Sequence, residues 1–287
     1  MASWPDISID GTGAFTNHDI FMQVESKFYE TLHSSNPQYG LSRYNIGCLL
    51  SSAARCGWLD RVKASKLRIL DIGCGKGQSL LDLTTGLRSS AQVSFERVAV
   101  VDLVKTSGNV LSQIKPQPEF FQQSVDGQKL PFAGASFDLV TCNHVLEHLF
   151  QTEFLVREIR RVCHPDGLAV ISVPNCAAWM NRIAFMFGGQ PLGSEVGTES
   201  IAYGFWPGFL KDRLNQFSPS GHIRDFTPRS LRDLTSACGF KPTGWWAQGG
   251  GIFPTLKRNL GIVLKPLPVT TASPNASVHG ENRSGFT

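Results

Sequence analysis

Short, mostly apolar runs punctuate the first two thirds of the chain at residues 69–72, 97–103, 137–142 and 168–173. Each has the length of a β-strand, and such runs are typical of parallel strands that are buried on both faces. A weaker strand candidate lies at residues 119–125. Because helix-like patterns separate the runs, the chain is predicted to be an α/β protein with a mostly parallel sheet.

Two further helices are predicted before the first strand. Apolar residues recur at near-helical spacing in residues 18–32 and again in residues 44–59. The segment before them, residues 1–16, is rich in glycine, serine and aspartate and is expected to be flexible.

The part of the chain after the fifth predicted strand is less regular. Residues 176–225 form a connection rich in aromatic residues and glycine, much longer than ordinary loops of α/β proteins. A strand is predicted at residues 240–246, whereas residues 261–264 are either a short strand or the end of a helix that begins near Pro254. The polar residues 269–287 are expected to be a disordered tail.

A glycine-rich turn follows the first strand, with Gly73, Gly75 and Gly77 leading into a helix-like pattern. Glycines let the backbone approach a ligand closely, although a plain strand–turn–helix unit uses them as well. The dinucleotide fingerprint would require glycine in place of Gln78. Asp71, two residues before the first glycine, would repel a pyrophosphate and suits a ligand with an ammonium group, such as the methionine end of S-adenosylmethionine.

Acidic residues also follow the next two predicted strands. Asp102 lies at the carboxyl end of the second strand, where ligands bind in open α/β sheets, and can accept both ribose hydroxyls. It could equally be the N-cap of a helix. Asp126 follows the third strand and can accept a hydrogen bond from an adenine amino group. Residues 143–148, after the fourth strand, are predicted to form a wall of the reaction cleft.

Taken together, these motifs resemble those of the class I S-adenosylmethionine-dependent methyltransferases, over roughly residues 45–245. The matching patterns are L-D-I-G-C-G-x-G, D-x-x-x-L-P-F-x-x-x-S-F-D, L-E-H, R-V-x-x-P-x-G and S-V-P-N, beginning at Leu70, Asp126, Leu146, Arg161 and Ser172. The resemblance implies a doubly wound, Rossmann-like sheet of seven strands within a domain of residues 17–268. It also implies that the helices within residues 18–59 close over the cofactor; the alternative is that they only cover a face of the sheet. The insertion 176–225 is expected to build the acceptor pocket, and the alternative is that it packs as a small helical subdomain.

The predicted cofactor is S-adenosylmethionine, as methyl donor. The residues expected to bind it are Asp71, Gly73, Cys74, Gly75, Gly77, Asp102, Leu103, Asp126, Gly127 and Asn143.

His144, Glu147 and His148 match H-x-x-E-H, a zinc-protease pattern that requires a long helix, but here the pattern begins at a strand end. Quinone-biosynthesis and small-RNA methyltransferases carry E-x-x-E-H at this place, with a later histidine, and bind a divalent ion. His144 replaces their first glutamate, and His222 can stand for the later histidine. Imidazole suits zinc, iron or nickel better than magnesium. Metal binding stays open beside histidines that are simply hydrogen-bonded in the cleft; the sequence favours the latter, so no metal ligand is predicted.

The predicted activity is methyl transfer to a small-molecule acceptor at oxygen, although the residues themselves leave carbon and nitrogen acceptors open. His148 and His222 are the candidate catalytic residues, because an imidazole with a pKa near ~6.5 can remove a proton at neutral pH. The alternatives are a nicotinamide-dependent oxidoreductase and a non-catalytic protein that binds S-adenosylmethionine.

Composition limits the expected partners and location of the protein. The net charge of +4 is too small and too scattered to predict a nucleic-acid partner. Seven cysteines without a C-x-x-C pair indicate reduced thiols, and the chain shows no signal peptide and no apolar run of the roughly 20 residues that a membrane span needs. A cytoplasmic location is therefore expected.

Overall fold

The computed structural model describes most of the predicted domain, and the following concerns residues 46–55, 57–64, 66–105, 109–215, 219–247 and 254–268. The predictions for residues 1–16, 18–32 and 269–287 lie outside the described residues.

Seven strands form one sheet, in the spatial order β3-β2-β1-β4-β5-β7-β6. The strands are β1 (Leu67–Ile72), β2 (Phe95–Asp102), β3 (Glu119–Gln122), β4 (Phe137–Asn143), β5 (Cys163–Pro174), β6 (Phe240–Ala247) and β7 (Asn259–Pro266). The five strands from β3 to β5 pair in parallel, and β7 lies antiparallel between β5 and β6. The predicted doubly wound, mostly parallel sheet is confirmed.

Helices cover both faces of this sheet. The described helices are α1 (Ile46–Arg55), α2 (Trp58–Ala64), α3 (Gln78–Ala91), α4 (Thr152–Val162), α5 (Trp179–Met186), α6 (Lys211–Leu214) and α7 (Pro228–Ala237). Apolar residues of α1 and α3 pack on one face, and those of α4 and α7 pack on the other. The strand order reverses between β1 and β4, and this switch point is where open α/β sheets bind ligands.

The helix predicted at residues 44–59 is divided in the structure, with α1 ending at Arg55 and α2 beginning at Trp58. Leu49, Ala53 and Trp58 are buried in the core on one face of the sheet. The described part of this segment therefore packs on a sheet face.

The last strand, β7, is longer than the short candidate at residues 261–264. It pairs with β5 along one side and with β6 along the other, and the turn Pro254–Leu256 before it is only a 3-10 helix. The alternative of a helix that starts near Pro254 is thereby wrong.

The insertion between β5 and α7 contains α5, α6 and a 3-10 turn, Gly208–Leu210. Its aromatic residues are mostly exposed: Trp179, Phe185, Phe187, Tyr203, Trp206 and Phe209. These described aromatic side chains therefore do not form a buried core. Among the described residues, no helix combines the length and the apolar character that a membrane span requires.

Candidate active site

The glycine turn lies at the carboxyl end of β1, and its backbone explains the choice of residues. Gly73, Gly75 and Gly77 have φ angles of +71°, +51° and +84°, a left-handed conformation that is unfavourable for other residues. The Gly75 N–H donates a hydrogen bond of 2.8 Å to Asp102 Oδ2. The turn after β1 is thus attached directly to the end of β2.

Asp102 holds this part of the site together through both carboxylate oxygens. Besides the bond from Gly75, its Oδ1 accepts a hydrogen bond of 3.2 Å from the Val104 N–H. Asp102 and Leu103 are half-buried at the cleft end of the sheet. A carboxylate has about four lone-pair positions, so Asp102 retains acceptor capacity for a ligand.

Asp71 is the buried acid of the site. It is only 2% exposed, and the Thr141 hydroxyl donates a hydrogen bond of 2.5 Å to its Oδ1. Burial raises the pKa of Asp71 to about 7, the Thr141 hydrogen bond opposes this, and the charge of Asp102 adds to it. The free protein therefore holds a carboxyl group that a nearby cation would ionise.

Asp126 and Gly127 lie in the loop between β3 and β4. The Asp126 carboxylate accepts hydrogen bonds from the N–H groups of Phe150 and Gln151, at 3.0 and 2.8 Å. These bonds attach the loop to the start of α4, as an N-terminal capping carboxylate does. Gly127 lies against the Gln151 side chain. The structure thus gives Asp126 a structural role beside the predicted contact with adenine.

Cys74 and Asn143 complete the predicted cofactor-binding set. Cys74 is buried, and burial raises the pKa of its thiol well above the ordinary value, so the thiol stays neutral. Asn143 ends β4, and its Oδ1 accepts a hydrogen bond of 2.8 Å from the Ser172 hydroxyl of β5. Both residues lie at the carboxyl ends of adjacent central strands, as predicted.

The H-x-x-E-H segment does not form a long helix. Leu146–His148 is a single 3-10 turn, and His144 stands before it with a φ angle of +54°. Non-glycine residues rarely adopt this conformation, and those that do are concentrated at functional sites. The helix that the protease pattern requires is absent from this described segment.

His148 and His222 lie side by side, although 73 residues separate them in the sequence. Their ring centroids are 5.0 Å apart. The N–H groups of Ile223 and Arg224 donate to the Glu147 carbonyl at 2.8 and 3.1 Å, which fixes the segment after His222 against the 3-10 turn. The two candidate catalytic histidines are thus brought together.

The orientation of both imidazoles is fixed by backbone carbonyls. His148 Nδ1 lies 3.1 Å from Gly221 O, and His222 Nδ1 lies 2.8 Å from Gly193 O. A carbonyl only accepts hydrogen bonds, so Nδ1 carries the proton and Nε2 is the basic nitrogen in each neutral ring. Burial lowers the pKa of His148, an effect that the charge of Glu147 opposes and that of His222 reinforces.

Glu147 is the buried carboxylate of this group. Its Oε1 lies 3.0 Å from His144 Nδ1, whereas its buried Oε2 has no hydrogen-bond partner among the described residues. Burial acts to raise the pKa of Glu147, but the His144 hydrogen bond and the nearby histidines outweigh it and lower the pKa. Glu147 is therefore ionised at neutral pH.

Two residues of the insertion position His222 and were not singled out from the sequence. The Glu195 carboxylate accepts hydrogen bonds from the N–H groups of Ser220, Gly221 and His222, at 2.6, 2.8 and 3.2 Å. Gly193 supplies the carbonyl that orients the ring. No local pattern marks either residue, because their partners lie about 30 residues away.

Arg224 donates hydrogen bonds to the carbonyls of Leu149 and Phe150, at 3.3 and 2.9 Å. In the described residues, it therefore supports the loop after the 3-10 turn.

Residues 70–171 match the family model described as a methyltransferase domain. The match covers the glycine turn, Asp102, Asp126 and the 3-10 turn with Glu147 and His148. Residues 70–171 are therefore similar to a methyltransferase domain, and the seven-stranded sheet agrees with that similarity.

Relatives in sequence are also methyltransferases. Malonyl-[acyl-carrier protein] O-methyltransferase of Methylovorus sp. (strain MP688) is 30% identical over 134 residues, which are 45% of each chain. Demethylmenaquinone methyltransferase of Beutenbergia cavernae is 27% identical over 173 residues, 57% of this chain and 72% of the relative. The chain thus spans less than half of the first relative and nearly three quarters of the second.

A solved structure shares the fold. The 1,6-didemethyltoxoflavin-N1-methyltransferase of Burkholderia thailandensis, with bound 1,6-didemethyltoxoflavin and S-adenosylhomocysteine, aligns with a TM-score of 0.51 and 16% identity. The alignment covers 91% of this chain and 98% of the other. At this identity, the likeness supports the fold alone.

Proposed function

We propose that the protein transfers the methyl group of S-adenosylmethionine to an oxygen atom of a small-molecule acceptor. The observation that carries the proposal is the hydrogen bond of 2.8 Å between the Gly75 N–H and Asp102 Oδ2. It joins the turn that can approach a ligand to the carboxylate that can accept ribose hydroxyls, at the switch point of the sheet.

Three acids would bind three parts of the cofactor. Asp71 would face the ammonium group of the methionine end, Asp102 the ribose hydroxyls, and Asp126 the adenine amino group. Their positions at the ends of β1, β2 and β3 support this order, because these strands are neighbours in the sheet. The buried acid beside the glycine turn disfavours a pyrophosphate at the same place, which speaks against a nicotinamide dinucleotide.

The acceptor would lie on the side of His148 and His222. Methyl transfer requires an acceptor oxygen in line with the methyl carbon and the sulfur. As the new oxygen–carbon bond forms, the carbon–sulfur bond breaks, S-adenosylhomocysteine leaves as a neutral thioether, and the acceptor loses its hydroxyl proton. The two imidazoles, oriented by the carbonyls of Gly221 and Gly193, are the groups that would promote the loss of that proton.

The relatives support the acceptor class. One is named as a demethylmenaquinone methyltransferase, which fits a small-molecule acceptor, and another is an O-methyltransferase of malonyl-[acyl-carrier protein] by name. The choice of oxygen in this protein rests on the histidine pair.

The test is a transfer assay with S-adenosylmethionine labelled in its methyl group and a panel of phenols, hydroquinones, carboxylic acids and amines. Label in an ether or ester product is expected, and His222→Ala should lower turnover about 10²–10⁴-fold with S-adenosylhomocysteine affinity retained. His164→Ala, a substitution at the start of β5, is the matched control and should keep full turnover. Label found only in amine products would overturn the oxygen assignment.

A further inference from the structure

His144 has a backbone conformation that is unusual for a residue with a side chain. Its φ angle of +54° lies in the left-handed region, which is occupied by ten glycines in the described part of the chain. The two other non-glycine residues with a positive φ angle, Gln92 and Ala135, are exposed and lie away from the carboxyl ends of the parallel strands. Strained residues cluster at active sites. Because glycine would adopt this turn without strain, a histidine here indicates a role for the imidazole itself.

The imidazole lies at the end of the sheet where cofactor and acceptor are proposed to meet. His144 directly follows Asn143, the last residue of β4, and its N–H donates a hydrogen bond of 2.9 Å to the Ser172 carbonyl of β5. The next residue, Val145, packs against Gly73 of the glycine turn. The His144 side chain is 28% exposed, so its ring is accessible at this end of the sheet.

Glu147 orients this ring. Its Oε1 lies 3.0 Å from His144 Nδ1, and its side chain is only 1% exposed. An ionised carboxylate only accepts hydrogen bonds, so Nδ1 carries the proton and Nε2 is the basic nitrogen of the neutral His144 ring. A histidine held through Nδ1 by a buried carboxylate is the arrangement of the general base in acyl-transfer enzymes, where the carboxylate also stabilises the imidazolium that forms.

The second carboxylate oxygen of Glu147 is an independent indication that a positive charge forms here. Oε2 is buried and lacks a hydrogen-bond partner within the described part of the chain. A buried polar atom without a partner is costly, and in a native protein it calls for an explanation. A proton gained by His144 would place a positive charge next to this carboxylate, and the attraction between the two makes the ring a better proton acceptor.

We propose that His144 is a further catalytic residue whose Nε2 accepts the proton of the acceptor hydroxyl, and that Glu147 positions its ring. As the oxygen–carbon bond forms, the oxygen–hydrogen bond breaks and the proton passes to Nε2. The electron pair of the carbon–sulfur bond leaves with S-adenosylhomocysteine, and the imidazolium then releases the proton to water. The inference rests on the proposed function and adds a third imidazole to His148 and His222, whose charges also act on Glu147.

The test removes the imidazole and keeps the backbone. His144→Asn suits a left-handed conformation and retains an N–H donor for Glu147, but it cannot accept a proton. In the transfer assay with labelled S-adenosylmethionine and a hydroxyl acceptor, kcat should fall about 10²–10⁴-fold. KM for the acceptor and S-adenosylhomocysteine affinity should stay unchanged, and circular dichroism checks the folding of the variant.

Chemical rescue distinguishes a base from a residue that only packs. His144→Gly leaves a space that free imidazole can enter, so added imidazole should restore part of its kcat. Ala135→Gly is the matched control, because Ala135 has a φ angle of +55° and is exposed. This control should keep full turnover and show no response to imidazole.

The tautomer of His144 gives a readout besides activity. The imidazole ¹⁵N NMR spectrum of the full chain, assigned with His144→Asn, should show Nδ1 protonated and Nε2 unprotonated in the neutral ring. The opposite tautomer would overturn the inference and leave the proposed function standing. Full turnover of His144→Asn would do the same, as would a loss of turnover in His144→Gly that imidazole does not restore. Absence of S-adenosylhomocysteine binding by the wild type would instead count against the proposed function, on which this inference rests.

Discussion

Asp102 is the residue on which the cofactor assignment depends most directly. Asp102→Ala is expected to weaken S-adenosylhomocysteine binding by about 1.5–3 kcal/mol, because hydrogen bonds to a charged group are lost from both the ligand and Gly75. Asp102→Asn keeps one oxygen and should be milder. Isothermal titration calorimetry measures both affinities.

The control for this prediction is Asp233→Ala, an exposed aspartate of α7 that pairs only with its neighbour Arg232 among the described residues. Its affinity should equal that of the wild type. Normal binding by Asp102→Ala would mean that Asp102 only caps the turn after β2.

Asp71 predicts a pH dependence of cofactor binding. Its pKa in the free protein is raised to about 7, so part of the carboxyl is protonated at pH 6. An ammonium group placed against it favours the carboxylate, so binding should release protons and affinity should increase from pH 6 to pH 8. Calorimetry at pH 6 in two buffers of different ionisation enthalpy measures the released protons.

Asp71→Asn is the matched variant and should abolish the proton release. The same raised pKa has a stability consequence of defined sign: its contribution is greatest at low pH and is lost as the pH rises from 3.8 to about 7. An affinity that does not change between pH 6 and pH 8 would contradict the placement of the ammonium group.

At the scale of single residues, the sequence predicted most of the residues of the motifs but not the residues that position them. His222 was linked to Glu147 and His148 only through the resemblance, as the possible counterpart of a later histidine. Glu195 and Gly193 were not predicted, because an acid and a glycine in an irregular segment have no periodicity that reveals their distant partners. The left-handed backbone of His144 was also not evident from the sequence.

At the scale of elements, the turn after β1 requires a glycine at position 73 for two reasons. The φ angle is +71°, and a Cβ atom there would fall on Val145 Cγ2. Gly73→Ala is expected to destabilise the protein by about 2–4 kcal/mol, the sum of left-handed strain and overpacking. Urea unfolding monitored by circular dichroism measures the change.

Two variants separate the backbone strain at Gly73 from the overpacking against Val145. Gly188 has a φ angle of +69° and nothing within 4 Å of an added Cβ, so Gly188→Ala should show the strain alone, about 1–2 kcal/mol. Adding Val145→Ala to Gly73→Ala should relieve the overpacking but not the strain. Equal changes in the free energy of unfolding for Gly73→Ala and Gly188→Ala would show that the Val145 side chain moves aside at no cost in free energy.

Asp138 joins three elements at the end of the sheet opposite the cleft. It is 4% exposed and binds Arg61 of α2 and Arg68 of β1, both at 3.0 Å. Asp138→Asn should destabilise the protein by about 1.5–3 kcal/mol, the range for hydrogen bonds to a charged group, without changing the S-adenosylhomocysteine affinity of the folded protein. A urea midpoint equal to that of the wild type would show that the charge of Asp138 does not stabilise the folded protein.

The pH dependence of the Asp138 contribution also has a fixed sign. Burial acts to raise the pKa of Asp138, but Arg68 and Arg61 outweigh it and lower the pKa below 3.8. The stabilisation is therefore complete above pH 3.8 and is lost as the pH falls through the lower, folded-state pKa.

The elements of the sheet were largely predictable, and β7 shows the limit. Its central residues, 261–264, are a short apolar run, and periodicity alone does not distinguish a buried strand from part of a helix. What makes it a strand is pairing with β5 and β6 on its two sides, which no local pattern encodes. Gly261 also accommodates the ring of Trp246, a cross-strand contact that the sequence does not reveal.

At the scale of the whole molecule, the two ends of the sheet differ. The switch point and the acids proposed to bind the cofactor lie at one end, whereas Asp138 and its two arginines lie at the other. The insertion supplies His222 and its supports to the functional end and leaves most of its aromatic residues exposed. The division predicts that substitutions around Asp138 change stability alone and that substitutions around Asp102 change binding.

The measurement that tests the central claim most directly is calorimetric titration of the full chain with S-adenosylhomocysteine and, separately, with NADH. One equivalent of S-adenosylhomocysteine should bind, with an affinity that Asp102→Ala reduces and Asp233→Ala leaves unchanged, and NADH should not bind. Saturable binding of NADH without binding of S-adenosylhomocysteine would contradict the assignment of the cofactor and, with it, the proposed methyl transfer.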